Sequence, residues 1–436
     1  MKRIILLSLT FAFSLFLIQC GGTRKLSQEE LANMSPQERV AYLENYVQKN
    51  PNDIQAKEDL YKEYLRMGTE DRALPLMKSI IEQDPQQTEV QFEYGKLMIQ
   101  RGENMPAYRA FLSVLKSPDA NSYTPEIGKY LGGNFAIQQV TDNAADEAFP
   151  CFSPDGKKIA YQTHEKGNWD IAERDLSSGE VKYITDSPAD EELPCYSPDG
   201  TKIIYSSNAD DRRPIDDKFK VREIYQKDLQ SGFVRNLTET VADDWLPRFS
   251  HSGSKIVFVS ERSDLRSVPY TEKQSDIYLM DNDGAFHIRL TKDSANDGGP
   301  CFGMDDKSIF FHSNRTGSYD IYRMKADGSN PVMILGEPGV NEVGPFVSPD
   351  SQYFAFFSDA GDNYDIYRAK LNGGEIERLT FNPAKDTDPA YSPDGNLIAF
   401  NSNRGGNYDI FLVNLETVSE PTVQELIARL DNLLGK

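Results

Sequence analysis

Six acidic residues recur at one fixed position of the sequence, three residues before a repeated proline. Aspartate and glutamate make up 68 of the 436 residues, so an acid at all six positions is far more than chance would give. Carboxylates gathered at one place could attract a cation or a basic peptide terminus. They could instead accept backbone N–H bonds within their own turns. The six residues are Glu147, Glu191, Asp244, Asp297, Glu342 and Asp386.

Two enlarged loops, residues 208–220 and 261–273, form a second candidate binding site. They lengthen the second and third repeats to 53 residues, against 44 or 45 in the others. Long loops on a rigid scaffold commonly contain binding sites. The alternative is that the protein surface tolerates the two insertions and that they have no binding function. The side chains that could contact a partner are Arg212, Arg213, Phe219, Arg266 and Tyr270.

The repeated prolines mark six units of four short strands each. From Pro150 to Pro389 the successive spacings are 44, 53, 53, 45 and 44 residues. A typical unit continues with Ser-Pro-Asp-Gly, a β-rich run, Asp-Ile-Tyr, and a short strand ending in Leu-Thr. This pattern is typical of a propeller blade. The sequence therefore predicts an all-β six-bladed propeller over residues 134–417, with the six acids around one mouth of its central channel and the enlarged loops on the same face.

The register of the repeats predicts how the ring closes. The residue that ends each fourth strand precedes the next repeated proline by nine positions, as Thr185 precedes Pro194. Thr141 ends such a strand before the first blade, whereas the last blade lacks a fourth strand of its own. We therefore expect the strand ending at Thr141 to complete the sixth blade, which leaves only short, protected sheet edges.

The repeat, read as Pro-x-aromatic-Ser-Pro-Asp-Gly followed by Asp-Ile-Tyr and Leu-Thr, resembles the TolB-type propeller repeat. The resemblance covers about 280 residues and six copies. It implies a cell-envelope scaffold whose partners are envelope proteins, such as peptidoglycan-associated or outer-membrane proteins. The chain departs from TolB itself in its N-terminal part, so the resemblance does not imply the same complex.

The N-terminus resembles a bacterial lipoprotein signal. Lys2 and Arg3 precede an apolar run from Ile4 to Ile18, which is too short to span a membrane, and Cys20 follows. We predict a signal peptide over 1–19, and a lipidated Cys20 with a linker over 20–34. This implies an outer-membrane lipid anchor, on either the periplasmic or the outer side. The alternative is an ordinary secretory signal with an incidental cysteine.

A helical segment is predicted before the propeller and one helix after it. Prolines at 51, 85 and 118 lie 34 and 33 residues apart, which is the tetratricopeptide period. We expect tetratricopeptide-like helices over 35–118, a linker over 119–133 and an amphipathic helix over 418–436. The helical repeats could offer a groove to a partner peptide or could serve as a spacer.

The composition and the sequence motifs limit the classes of function that the protein can have. The formal net charge of −21 argues against nucleic-acid binding. The sequence contains no Gly-x-Ser-x-Gly, His-Glu-x-x-His or phosphate-loop motif. Cys151, Cys195 and Cys301 are expected to be small buried residues. We predict a non-enzymatic interaction scaffold without a cofactor; the alternatives are a surface adhesin and a calcium-dependent, lactonase-like propeller hydrolase.

Overall fold

The structure is a computed structural model that describes residues 24–131, 135–216, 219–268, 272–361, 363–418 and 421–435. The signal segment with Cys20, and Tyr270, lie outside these residues. The chain divides into two compact units. The described residues up to Thr124 and from Val423 onward form a helical unit, and Pro125–Thr422 form the propeller unit. No helix of the described ranges has the length and apolar character needed to cross a bilayer.

Seven helices, α1 to α7, precede the propeller strands in the described residues. A helix begins directly after Ser35, where Ser35 and Glu38 form a reciprocal capping box. The helices are α1 (Gln28–Ala32), α2 (Pro36–Lys49), α3 (Ile54–Arg66), α4 (Glu70–Gln83), α5 (Thr88–Gln100), α6 (Asn104–Leu115) and α7 (Ala120–Leu131).

Close helix packing is visible where the sequence places small residues. A Cβ atom on Gly95 of α5 would lie 2.5 Å from Phe111 Cε1 of α6, so glycine allows this approach. Ala73 and Ala107 are fully buried. The tetratricopeptide identity of these helices stays a prediction.

Two segments that were predicted to be linkers contain helices. Residues 120–131 of the expected linker 119–133 form α7, and residues 28–32 of the expected linker 20–34 form α1. The physical reason for α7 is a buried stripe at Ala120, Ile127 and Leu131, whose spacing is helical. The C-terminal helix α8 (Val423–Leu433) is confirmed, and it packs on α6 of the helical unit, where Leu426 and Leu430 are fully buried.

The propeller consists of six four-stranded antiparallel sheets in the described residues, as the repeats predict. Blades 1 to 3 are formed by β2 (Glu147–Phe152), β3 (Lys158–Thr163), β4 (Asp170–Asp175) and β5 (Val181–Tyr183); by β6 (Glu191–Tyr196), β7 (Lys202–Ser207), β8 (Glu223–Asp228) and β9 (Val234–Asn236); and by β10 (Asp244–Phe249), β11 (Lys255–Ser260), β12 (Asp276–Asp281) and β13 (Ile288–Arg289). Blades 4 to 6 are formed by β14 (Asp297–Phe302), β15 (Ser308–Ser313), β16 (Asp320–Lys325) and β17 (Val332–Leu335); by β18 (Glu342–Val347), β19 (Tyr353–Ser358), β20 (Asp365–Lys370) and β21 (Glu377–Arg378); and by β22 (Asp386–Tyr391), β23 (Leu397–Ser402), β24 (Asp409–Val418) and β1 (Phe135–Gln139).

The predicted closure of the ring is confirmed. Strand β1 pairs with β24, so the sixth sheet has the order β1-β24-β23-β22. The Thr141 hydroxyl accepts the Ile410 N–H at 2.8 Å. Thr185 makes the same bond to Ile171 at 2.7 Å within blade 1. The closing strand therefore repeats, over a separation of 269 residues, a contact that is local elsewhere.

The first strand of each blade lies innermost, because β2 packs against both β6 and β22, and the other first strands contact their neighbours in the same way. Each first strand has a register break just before its repeated proline. A residue with positive φ stands at that point in every blade; these residues are Phe149, Leu193, Leu246, Gly299, Gly344 and Asp388.

Candidate functional site

The six predicted acids each begin the innermost strand of a blade. Of the two alternatives, they do not form an exposed rim, because their exposed fractions lie between 0% and 5%. A carboxylate that water does not reach cannot act as an open cation-binding surface. The side chains of Glu147, Glu191, Asp244, Asp297, Glu342 and Asp386 instead belong to the interior of the blades.

The three aspartates are paired with arginines of their own blades. Arg262 Nη2 lies 2.6 Å from Asp244 Oδ2, Arg315 Nη2 lies 3.0 Å from Asp297 Oδ1, and Arg404 Nη2 lies 2.9 Å from Asp386 Oδ2. Each arginine follows its aspartate by 18 positions. The guanidinium groups also lie over aromatic rings, as Arg404 does over Phe411 at 4.5 Å. These pairs are structural parts of the blade.

The three glutamates lack this arginine, because the position 18 residues later is Glu165, Ala209 or Ala360. Glu147 accepts a hydrogen bond from Asn143, and Glu191 accepts one from Ser187. Burial raises the pKa of Glu147 and Glu191 to about 7.

Glu342 is the most weakly supported of the three glutamates. The residue four positions earlier, which is Asn143 or Ser187 for the other two, is Pro338. Burial, followed by the nearby charges of Asp320, Glu337 and Asp359, raises the pKa of Glu342 to about 8. Its Oε2 atom is buried and has no hydrogen-bond partner among the described residues.

Replacing Glu342 with glutamine should flatten the dependence of stability on pH. A carboxyl whose pKa rises on folding binds its proton more tightly in the native state. The contribution of Glu342 to stability is therefore greatest below the pKa of about 4.5 that it has in the unfolded chain, and it falls as the pH rises toward 8. The free energy of unfolding of Glu342→Gln should therefore rise relative to that of the wild type between pH 5 and pH 8.5. We expect this relative gain to be on the order of 3 kcal/mol. Urea unfolding at both pH values measures this.

The matched control is Glu82→Gln, because Glu82 is exposed on helix α4 of the helical unit. This variant should follow the wild type at both pH values. Equal free energies of unfolding for Glu342→Gln and the wild type at pH 5 and at pH 8.5 would contradict the prediction.

The two enlarged loops are held by the same Asp-x-Arg arrangement. In blade 2 the Arg213 Nε atom donates to Asp211 Oδ1 at 2.8 Å, and Val221 N donates to Asp211 Oδ2 at 2.9 Å. In blade 3 the Arg266 Nε atom donates to Asp264 Oδ1 at 2.9 Å, and Gln274 N donates to Asp264 Oδ2 at 2.8 Å. The predicted binding arginines Arg213 and Arg266 therefore hold the loops in shape.

Each clamp also fixes the far side of its loop, because Arg213 Nη2 donates to the Phe219 carbonyl at 3.3 Å and Arg266 Nη2 donates to the Glu272 carbonyl at 2.9 Å. Of the other candidates, Arg212 is exposed, the Phe219 side chain is about half exposed and Tyr270 lies outside the described residues.

Asp243 joins the two loops. Its carboxylate accepts the backbone N–H of Arg222 at 2.8 Å and pairs with the guanidinium at 2.6 Å, where the blade 2 loop ends. Its carbonyl accepts the Glu261 N–H at 3.1 Å, where the blade 3 loop begins. We call the described residues of 208–222, 239–243 and 261–275 the blade 2–3 loop surface.

This surface displays two nearly fully exposed aliphatic side chains. Val241 is 96% exposed and Leu265 is 91% exposed. Neither residue could be recognised from the sequence, because a single aliphatic residue in a loop has no periodic pattern. The clamps did have a signal, since Asp211 and Arg213 recur as Asp264 and Arg266 after 53 residues.

Within the described ranges, no group of three or more histidine, cysteine, aspartate or glutamate side chains is placed to hold a metal ion. The carboxylate ring for which calcium was considered is therefore a set of separate buried groups, one in each blade.

Comparison with solved structures shows which known proteins this chain is similar to. One solved structure, described as a TolB from Agrobacterium tumefaciens, is 21% identical with a TM-score of 0.50, covering 64% of this chain and 96% of that chain. An oligogalacturonate lyase in complex with manganese is 16% identical with a TM-score of 0.47, covering 64% of this chain and 93% of that chain.

Among curated proteins, the uncharacterized protein Atu1656 of Agrobacterium fabrum (strain C58) is 30% identical over 107 residues. That match covers 24% of this chain and only 33% of the relative's length. The family model described as TolB beta propeller domain matches residues 121–270 and 333–424. Because these residues are more than half of the 436-residue chain, and because they fold into the expected blades, the chain belongs to the TolB β-propeller family.

Proposed function

We propose that this protein is a non-enzymatic scaffold of the bacterial cell envelope that binds a partner protein through the blade 2–3 loop surface. The observation that carries the proposal is the exposure of Val241 and Leu265 on the blade 2–3 loop surface, where ion pairs with buried aspartates hold the described parts of the two enlarged loops. Exposed apolar side chains on an ordered surface are typical of protein interaction sites.

The ion pairs within the described parts of the two loops support binding at a modest area of contact. A flexible loop loses conformational entropy when a partner orders it, and this loss weakens binding. Asp211 and Asp264 are almost fully buried beneath their arginines, with side-chain exposures of 3%. Bidentate pairs of this kind fix geometry as well as contributing energy. The described parts of both loops are thus held by contacts within the chain itself.

The burial of the blade acids supports binding rather than catalysis. The acids that could have served as general acids or ion ligands lie inside the sheets, where arginine, asparagine or serine side chains contact five of the six. A substrate at the surface does not reach them. The membership in the TolB family supports protein partners in the envelope.

The remaining parts of the proposal concern the two ends of the chain. We place lipidation at Cys20, which would anchor the protein to the outer membrane, and we assign the helical repeats a second protein-binding role. The sequence of residues 1–20 supports the first assignment. The tetratricopeptide-like spacing supports the second.

A photocrosslinking residue at Leu265 should capture one defined partner protein in intact cells. The matched control is Phe286, which is 76% exposed but lies in the β12–β13 turn, at the opposite end of the blade. Leu265→Asp in a chain with the crosslinker at Val241 should reduce capture of the same protein at least fivefold, whereas Phe286→Asp should not. Equal capture from Leu265 and Phe286, or capture that Leu265→Asp leaves unchanged, would overturn the proposal.

A further inference from the structure

The outer strand β17 of blade 4 differs in composition from the other outer strands of the propeller. It reads Val332-Met333-Ile334-Leu335, and residues 328–336 contain no charge. Charged side chains on an edge strand keep it from pairing with another chain. The outer strands of blades 1, 2, 3 and 5 have such charges, and that of blade 6 has two glutamines; these residues are Lys182, Arg235, Arg289, Glu377 with Arg378, and Gln138 with Gln139. Strand β17 lacks this protection.

The outer edge of β17 is open to a further strand. In the described residues β17 is the last strand of the sheet β14-β15-β16-β17, so one row of its backbone N–H and C=O groups faces away from the sheet. Val332 is 47% exposed and Met333 is 51% exposed. A strand that adds here would gain main-chain hydrogen bonds and would cover both apolar side chains. The edge therefore fits an extended, apolar segment of another chain.

A cavity of about 530 Å³ lies at the start of this strand. Pro331, which directly precedes β17, lines the cavity together with residues 327–329 of the β16–β17 turn. Residues 289–293, at the end of β13 and just after it, line the cavity as well. The cavity is thus placed where blade 3 meets the turn that leads into β17.

The cavity offers an unpaired cation and an unused hydrogen-bond donor. Its two carboxylates are engaged, because Asp293 pairs with Arg315 at 2.9 Å and Asp327 accepts a backbone N–H of its own turn at 2.8 Å. Lys292 is exposed and forms no ion pair within the described residues. Arg289 pairs through Nη2 with a buried aspartate of its blade, but its buried Nε–H has no hydrogen-bond partner there. These groups suit a carboxylate.

The direction of β17 decides which end of a bound segment reaches the cavity. The strand begins at the cavity and runs away from it, from Val332 to Leu335. Every strand pair of this blade is antiparallel, and antiparallel pairing is the slightly more stable kind. A segment that continues this pattern runs toward Pro331, so its C-terminal end arrives at the cavity.

We infer that the edge of β17 binds the C-terminus of a partner protein. The last residues of the partner pair antiparallel with β17 as an extended apolar strand, and the terminal carboxylate enters the cavity, where the Lys292 ammonium group and the Arg289 Nε–H bind it. A second copy of this chain is a poor occupant, because two chains with a formal net charge of −21 repel each other. This site is separate from the blade 2–3 loop surface and does not depend on it.

The first test measures the binding of one peptide to the whole protein by fluorescence polarisation. The probe is fluorescein-labelled Gly-Thr-Val-Thr-Val-Ile-Val with a free C-terminus, and the same peptide with a C-terminal amide is its matched control. We expect the free acid to bind at least tenfold more tightly than the amide, since only the acid brings a carboxylate to Lys292. Lys292→Gln should abolish this difference and leave the affinity for the amide within twofold.

Variants of the outer strands test the pairing itself. Met333→Lys should weaken the binding of both peptides at least tenfold, because a lysine on the edge disfavours a further apolar strand. The matched control is Val234→Lys, since Val234 is 43% exposed on the outer strand of blade 2. This variant should bind like the wild type. Leu265→Asp should also bind like the wild type, which keeps this result apart from that of the blade 2–3 loop surface.

Four outcomes would overturn the inference. They are the lack of saturable binding of the free acid, equal affinities for acid and amide, unchanged binding by Met333→Lys, and a wild-type dimer in sedimentation that Met333→Lys converts to a monomer. In the last case a second copy of the chain, rather than a partner's C-terminus, would cover the edge of β17.

Discussion

Replacing residues 135–141 with a Gly/Ser segment of the same length should lower the melting temperature of the propeller by about 10 °C. The replaced strand β1 is the neighbour with which β24 pairs on its outer side. Phe135 and Val140 are each 8% exposed, so their loss alone removes about 4 kcal/mol of apolar burial. For a unit of this size, 1 kcal/mol corresponds to roughly 2–4 °C. Differential scanning calorimetry measures the effect.

The matched control is the same replacement at residues 179–185, 44 positions later. These residues contain β5, the corresponding fourth strand of blade 1. The control removes an outer strand and its threonine, but the ring stays closed. This is because β1, which precedes blade 1 in the sequence, still pairs with β24 of blade 6. It should lower the melting temperature by about half as much. Equal losses in the two variants would show that closure adds nothing to the stability of the sheet edge.

Removing Arg404 should have the second large effect. Asp386 is fully buried, and both of its carboxylate oxygens accept from Arg404 Nη2, at 3.0 and 2.9 Å. Arg404→Met leaves this carboxylate in the interior without its cation, which costs about 3–5 kcal/mol. Urea denaturation should show this loss in the midpoint of the transition while its slope stays unchanged.

The double variant Asp386→Asn/Arg404→Met distinguishes the cost of an unpaired charge from the cost of lost packing. Asparagine carries no charge, so the double variant should recover more than half of the stability that Arg404→Met loses. A double variant as unstable as Arg404→Met alone would mean that the stacking of Arg404 on Phe411, rather than the ion pair, holds this part of blade 6.

The architecture of the propeller could be predicted because the repeats carry their own register. Thr141 stands nine residues before Pro150, and this position alone assigns β1 to the sixth sheet. The segment of helix α7 was predicted to be a linker, because Pro118 and Gly132 at its two ends are typical of a loop. The helical spacing of Ala120, Ile127 and Leu131 is the signal that indicates the helix.

The site was predicted less well, because a sequence gives the position of a side chain but not what covers it. The spacing gave each acid its place at the start of a blade, but it left open whether the six acids form a charged rim or are bonded within their own blades. Their arginines could have been found. Asp244 is paired in register with Ser260 on the neighbouring strand, and Arg262 follows Ser260 by two residues. The same 18-residue spacing between aspartate and arginine holds in blades 4 and 6.

The pairing of β1 with β24 has a consequence for how the chain is made. Ile137 is hydrogen-bonded in register with Val413, so the first propeller strand to leave the ribosome joins the last. Contacts of such long range form late, and the early strand stays unpaired throughout synthesis. The ring thus cannot close until β24 (Asp409–Val418) has been synthesised, however early β1 has emerged.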